Sequence, residues 1–315
     1  MLSVKSFMNI AVNRIIDQVG EVLLGKEQQV KLALACLLAR GHLLIEDLPG
    51  MGKTTLAHCL AAVMGLRYDR VQFTSDLLPA DILGVSIFDK NSSSFQFHPG
   101  PVFTQVLLAD EINRSTPKTQ SALLEAMEEY QVTIEGETRE LPKPFFVIAT
   151  QNPMSQSGTF PLPESQLDRF LMRISLGYPS ESSEMALYKG VDPRSKIHNM
   201  KPVISLEQLT YLQEEVNKVR ATDQLLDYLQ RLVNLTRMDE KFSHGLSPRG
   251  ALAWLRASKA WALIQQRDYV VPDDIQAVMP AVVGHRINSS EHGQLDNSQG
   301  LDYLIQNVDV LGQAG

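Results

Sequence analysis

The chain has 315 residues, a formal net charge of -7, and a composition that is 44% hydrophobic and 21% charged. At roughly 150 residues per domain that is room for two globular domains with a real core. The acidic balance disfavours an obligate nucleic-acid binder, which needs a basic face to neutralise phosphates. Cys36 and Cys59 lie inside apolar helical stretches and read as buried thiols, not as a disulfide or metal framework. That suits a reducing cytosol. The longest apolar run, Leu32 to Ala39, is far short of the ~20 residues that cross a bilayer. Asn9, Asn13, Arg14 and Asp17 interrupt any signal-peptide core. The expectation is a cytoplasmic protein with no membrane insertion.

Phe7, Ile10, Ala11 and Ile15 open the chain with helical spacing, and a second helix is expected from Glu27 to Arg40, stopped by Gly41. Five short apolar runs then read as buried strands: Leu43–Glu46, Val71–Phe73, Val106–Asp110, Phe145–Thr150 and Leu171–Leu176. Helical patterns separate most of them, which predicts an α/β parallel sheet covered on both faces. Two hairpins interrupt the alternation, one over Gly84–Phe97 turning at Lys90–Ser94, the other over Val132–Leu141 turning at Glu135–Glu137. A hairpin is a poor route between parallel strands, so both are expected to project outward. Residues 1–178 form this first unit. Pro179, Pro193 and Pro202 then punctuate a loop-rich linker over 179–204. No strand is expected beyond Gly177. Ala253, Ala257, Ala260, Trp261 and Ile264 share one helix face in a second, all-α unit over 205–315. The tail from Ser289 suggests only a short helix near Leu301–Val310.

The first strand runs into Asp47-Leu48-Pro49-Gly50-Met51-Gly52-Lys53-Thr54-Thr55, and a helix follows from Thr55 to Met64. A glycine-rich turn between strand and helix aims backbone N–H groups inward, and the helix N-terminus adds its positive dipole end. Pro49 to Thr55 are therefore expected to cradle ATP. Lys53 supplies a point charge for the β- and γ-phosphates, and Thr54 a hydroxyl for Mg²⁺. The general pattern has glycine where Asp47 stands, but the tight wrap lies at Gly50 to Lys53. The strand–loop–helix context argues against a mere glycine turn with a surface lysine.

The third strand ends in Asp110-Glu111. Asp110 is expected to hold Mg²⁺, partly through water, and Glu111 to orient and deprotonate the attacking water. The alternative for the pair is the charged start of a helix; Thr116 and Pro117 cap and open the next one. The fourth strand delivers Gln151-Asn152-Pro153 at its carboxyl end, where open α/β sheets place ligand contacts. Asn152 is a candidate for the γ-phosphate or the lytic water, with an Asx turn before Pro153 as the alternative. Arg169 lies in Glu164-Ser165-Gln166-Leu167-Asp168-Arg169-Phe170, and Arg249 follows the helix start Ser247-Pro248. A cation in that first turn costs roughly 0.3–1 kcal/mol against the helix dipole, a penalty that a triphosphate would reverse. The alternatives are a surface cation for Arg249 and a pair with Glu164 for Arg169.

In this order the motifs resemble the AAA+ ATPases, and more closely the MoxR family. The specific strings are Gly41-His42-Leu43-Leu44-Ile45-Glu46-Asp47-Leu48-Pro49-Gly50, Glu111-Ile112-Asn113-Arg114, Gln120-Ser121-Ala122-Leu123-Leu124-Glu125-Ala126-Met127-Glu128-Glu129, Thr150-Gln151-Asn152-Pro153 and Leu167-Asp168-Arg169-Phe170. The resemblance runs over Val22 to Ile287, and the family has an acidic residue at the position of Asp47. It implies a P-loop AAA+ core with a five-stranded parallel sheet in the order 5-1-4-3-2, a C-terminal helical lid, and assembly into a hexameric ring. Lys53 and Thr54 match Walker A, Asp110 and Glu111 Walker B, Asn152 sensor 1 and Arg249 sensor 2. Arg169 matches the arginine finger, which acts on the neighbouring subunit's nucleotide. The hairpins match the helix-2 insert and the pre-sensor-1 hairpin, and Gly25 falls where this fold contacts adenine.

The implied function is chaperone-like remodelling of protein partners, often with von Willebrand factor A domain proteins. The alternatives are a nucleic-acid motor, a magnesium-chelatase-like subunit and a nucleotide-gated scaffold. Glu135, Glu137 and Glu140 against Arg139 on one hairpin, and only Lys90 on the other, count against the first of these. The MoxR-like strings count against the second. Intact Glu111, Asn152 and both arginines count against the third.

Overall fold

The computed structural model describes residues 4–91, 93–152, 158–189, 193–289 and 297–312. Helices α1 (Val4–Gly20) and α2 (Glu27–Leu38) bury Ile15, Val19, Val30, Leu34 and Leu37. Strand β1 (Leu43–Glu46) follows, and then α3 (Lys53–Val63). Strand β2 (Tyr68–Gln72) starts earlier than the apolar run predicts. It is an edge strand whose Asp69, Arg70 and Gln72 are exposed, so only Val71 carries a hydrophobic signal. A short α4 (Pro79–Leu83) leads into the hairpin of β3 (Gly84–Asp89) and β4 (Ser94–Pro99).

Next come β5 (Val106–Asp110) and α5 (Pro117–Glu129), the latter capped by the Thr116 hydroxyl accepting from the Thr119 N–H. The second hairpin, β6 (Gln131–Ile134) and β7 (Glu137–Glu140), precedes β8 (Phe146–Gln151), α6 (Glu164–Leu167) and β9 (Met172–Ile174). The fifth strand is thus shorter than the run Leu171–Leu176. Pro153 lies outside the described residues.

The sheet is five-stranded and parallel, in the order β2-β5-β8-β1-β9. Counted along the chain these are strands 2-3-4-1-5, the expected arrangement read from its other edge. Alternate residues serve opposite faces, as the period of a strand requires. Leu43, Ile45, Val106, Leu108, Phe146 and Ile148 pack with α1, α2, α3 and the C-terminal helices. Leu44, Leu107, Ala109, Val147 and Ala149 pack on the other side with Leu123, Leu124 and Met127 of α5. Both hairpins form two-stranded sheets of their own, as expected of projections. They touch: the Arg139 guanidinium lies 4.1 Å from the centre of the Phe97 ring.

Beyond β9 the structure departs twice from the sequence expectation. The segment read as a loop-rich linker carries α7 (Glu181–Tyr188) and a 3-10 stretch, Pro193–Asn199. Met185 and Tyr188 of α7 are exposed, so it has no strong apolar stripe to announce it. Helices α8 (Leu206–Lys218), α9 (Asp223–Met238), α10 (Pro248–Ile264) and α11 (Pro272–Val283) then build the helical domain. Within it β10 (Phe242–His244) pairs antiparallel with β11 (Asn288–Ser289), a pair too short for a period to register. Helix α12 (Asn297–Asn307) matches the helix expected in the tail; residues 290–296 and 313–315 lie outside the described part. Among the described residues no helix is long and apolar enough to cross a membrane.

Candidate nucleotide site

The loop after β1 wraps through Gly50 (φ +86°) and Gly52 (φ +92°), backbone conformations that a Cβ disfavours. Gly52 stands at the N-cap of α3, so Lys53, Thr54 and Thr55 form its first turn with their N–H groups free of helical partners. Lys53 Nζ is buried and donates to the Asp47 carbonyl at 2.6 Å, to Asn152 Oδ1 at 2.9 Å and to the Gln151 carbonyl at 3.3 Å. Burial lowers the Lys53 pKa, and the carboxylates of Asp47, Asp110, Glu111 and Glu46 oppose that without cancelling it.

Asp47 faces away from the phosphate turn. Its Oδ2 accepts from the N–H groups of Leu176 (2.7 Å) and Gly177 (2.6 Å) and from Ser175 Oγ (3.1 Å), and its Oδ1 from the Leu48 N–H (2.8 Å). Burial alone would raise its pKa, but these donors together hold the carboxyl below its usual value. A carboxylate here ties the loop to the chain leaving β9. Glycine could not do that.

At the end of β5, Thr150 Oγ1 donates to Asp110 Oδ1 (2.6 Å) and accepts from the Glu111 N–H (2.9 Å). Arg70 donates to Asp110 Oδ2 through Nε (3.2 Å) and Nη2 (2.7 Å). Glu111 adopts φ +57°, a left-handed conformation rare for a non-glycine residue and concentrated at functional sites. Its Oε1 accepts from Asn152 Nδ2 and its Oε2 from Gln72 Nε2, both at 3.0 Å, with Arg114 Nε 3.2 Å from Oε2. The base candidate is thus held on both oxygens.

These groups surround one pocket of about 500 Å³. Pro49, Gly50, Gly52, Lys53, Thr54 and Thr55 line it on one side, and Asp110, Glu111, Asn152 and Arg70 on the other. Among the described residues no cluster of three or more His, Cys, Asp or Glu could cage a metal. Mg²⁺ needs none, because it takes one or two protein oxygens and fills its shell with phosphate and water. The Thr54 hydroxyl and the Asp110 carboxylate fit that role. Met51 and Gly25 are not among the lining residues: Met51 packs against the core, and Gly25 (φ +71°) stands close to Ser180 and Ser183.

Arg169 and Arg249 do not join this pocket. They line a second cleft of about 410 Å³ with Arg40, Arg256, Asp168 and Arg286. There Glu128 pairs with both, Oε2 at 3.0 Å from Arg169 Nη2 and Oε1 at 2.9 Å from Arg249 Nη1. The helix start is as read, with Ser247 Oγ accepting from the Gly250 N–H at 3.0 Å. The position differs. Arg249 does not flank the nucleotide pocket of its own chain, because α10 packs on α2 and carries its first turn towards α5 and Asp168.

The sequence model described as "ATPase family associated with various cellular activities (AAA)" matches residues 42–172, and that of the AAA lid domain matches residues 234–302. Chaperone MoxR1 of Mycobacterium tuberculosis is 41% identical over 285 residues, covering 87% of this chain and 74% of that protein. The chain belongs to the MoxR family of AAA+ ATPases. The uncharacterized YeaC of Bacillus subtilis is 47% identical over 272 residues, 86% of this chain and 85% of that one. A crystal structure of a candidate ATPase from Cytophaga hutchinsonii superimposes with a TM-score of 0.87 at 36% identity, covering 97% of this chain and 96% of that chain.

In this MoxR-family protein, sequence reasoning missed His58, Arg70 and Ile197 among the residues lining the nucleotide pocket, Gln72 and Thr150 bonded to Glu111 and Asp110, and Glu128 at the arginine cleft. A polar residue inside a strand pattern, as at Thr150, was the one available signal. Gln72 carries the same signal inside the run Val71–Phe73, whereas Arg70 falls just before that run.

Proposed function

We propose that this MoxR-family AAA+ protein hydrolyses ATP with Mg²⁺ and works as a hexameric ring that remodels protein partners in the cytoplasm. One observation carries the reading. The pocket holding Lys53, Asp110 and Glu111 contains neither Arg169 nor Arg249, which stand together in a cleft of their own. A site whose transition-state cations lie elsewhere on the chain is completed by a second copy, and a closed ring supplies one copy per site. Arg249, like Arg169, would then serve the neighbouring subunit's nucleotide.

Within the pocket the N–H groups of the first turn of α3 and Lys53 grip the β- and γ-phosphates. Thr54 and Asp110 hold Mg²⁺, which when bound neutralises charge developing on the phosphates. Glu111 accepts a proton from the attacking water while Asn152 fixes its carboxylate. Arg169 stabilises the transferring phosphoryl group from across the interface, a contribution of roughly 10³–10⁵ in rate. Gly25 is kept as the candidate adenine contact on family resemblance, since it does not line the phosphate pocket.

Residues 1–178, 179–204 and 205–315 serve as nucleotide core, linker and lid. The chaperone name of the Mycobacterium tuberculosis relative supports protein remodelling, with von Willebrand factor A domain proteins as the partner class to test first. The exposed acidic side chains Glu135, Glu137 and Glu140 on the second hairpin disfavour nucleic acid there.

Glu111→Gln is expected to bind ATP and retain it unhydrolysed; normal phosphate release would remove Glu111 as base. Arg169→Ala should bind ATP yet fail to turn it over, and mixing it with Lys53→Ala should restore part of the activity. Silence in mixed assemblies would sink the cross-subunit role. Proteins held by Glu111→Gln with ATP identify the client.

A further inference from the structure

We propose that Glu128 is a positioning residue that sets Arg169 and Arg249 side by side as one two-armed grip for phosphate. The proposal rests on the reading that these arginines meet a neighbouring copy's nucleotide. Glu128 sits in the last turn of α5, where the helix dipole disfavours a carboxylate. Its oxygens are divided: Oε2 goes to Arg169, just past α6 in the core, and Oε1 to Arg249, in the first turn of α10 in the lid. Two guanidiniums from separate parts of the chain are thereby fixed about one carboxylate. Without it, like charges repel and the grip opens.

Asp168 does not duplicate the role. Its Oδ1 accepts from Arg286 Nε at 2.7 Å, and its Oδ2 stays 3.9 Å from Arg249 Nε. Stability is a poor explanation for the arrangement. The Arg249 side chain is 51% exposed and Glu128 35%, and exposed ion pairs of this kind add little to stability. The cleft also keeps a positive surplus: Arg40, Arg169, Arg249, Arg256 and Arg286 face only Glu128 and Asp168, five charges against two. Planar guanidiniums match phosphate oxygens in a fixed fork, so their spacing matters as much as their charge.

Glu128→Gln keeps the volume but presents an amide N–H₂ to one of the two arginines. Calorimetry with ATP and Mg²⁺ should show affinity within about twofold of the parent, since the P-loop is untouched. KM should hold while kcat falls about 10- to 100-fold, part of the 10³–10⁵ that an arginine finger contributes. Mixing with Lys53→Ala, which brings an intact Glu128, should restore turnover, and Glu128→Asp should recover more activity than Glu128→Gln. Unchanged or faster turnover in Glu128→Gln, with Arg169→Ala silent, would overturn the positioning role alone. Full turnover in Arg169→Ala would overturn that role and the cross-subunit reading together. Joint loss of melting temperature and ATP affinity in Glu128→Gln would make Glu128 merely structural.

Discussion

Asn152 Oδ1 accepts from Lys53 Nζ at 2.9 Å, and the same amide donates to Glu111 Oε1 at 3.0 Å. One side chain therefore joins the phosphate-binding cation to the proposed base. In Asn152→Ala, Glu111 keeps the Gln72 amide and Arg114, both on Oε2, while Oε1 loses its donor and the carboxylate can rotate. ATP affinity should change little, while kcat drops by about 10²-fold, the usual scale for losing one positioned donor. Phosphate release by Asn152→Ala at the parent's rate would remove that residue from the mechanism.

Gly52→Ala tests the turn itself. Gly52 has φ +92°, and an added Cβ would meet Leu23 Cδ1 at 2.9 Å. The side chain can yield, but the left-handed backbone costs roughly 1–2 kcal/mol for a non-glycine residue. Relaxing it re-aims the N–H groups of α3. We expect ATP affinity to fall more than tenfold, read by calorimetry, with the rest of the fold retained by circular dichroism.

Asp47→Ala should act on stability before chemistry. It strands the buried N–H of Leu176 and the partly buried N–H of Gly177, and unpaired buried donors cost about 1–3 kcal/mol each. Urea denaturation should show a loss of about 2–4 kcal/mol. A loss under about 0.5 kcal/mol, the range of neutral surface changes, would mean the loop does not depend on this tie.

His42 gives the fold a pH dependence. Its ring is buried, Nδ1 accepting from the Val147 N–H and Nε2 donating to the Met127 carbonyl. Burial lowers its pKa to about 4, the Met127 carbonyl opposing this and Arg249 adding to it. Unfolded histidine titrates near ~6.5, so between those values the unfolded chain binds the extra proton. Stability is therefore full above ~6.5 and falls towards pH 4, by about 3 kcal/mol in all. His285, also buried and lowered, acts in the same direction. His42→Gln should flatten the slope between pH 6.5 and 4.5 in urea titrations, and an unaltered slope would refute the assignment.

Local order in the sequence determined the phosphate turn, the acidic strand end and the alternation of strands and helices. Pro49 to Thr55 and Asp110-Glu111 were legible because their chemistry depends on immediate neighbours: a strand, a glycine turn, a helix start. The sheet order came with family resemblance, and the parallel pairing with the runs of apolar residues buried on both faces.

Tertiary structure alone decided which distant groups meet. Gln72 reaches Glu111 because β2 lies in register beside β5, Gln72 opposite Asp110, a pairing that sequence spacing does not encode. The edge position of β2 also hid Arg70, since an edge strand needs little hydrophobicity. Arg169 and Arg249 share Glu128 because the lid docks through Arg286, which donates to the Asp168 side chain and to the Phe170 carbonyl. Long-range packing of that kind fixes distances between residues far apart along the chain, and it carried both arginines away from the nucleotide pocket of their own subunit.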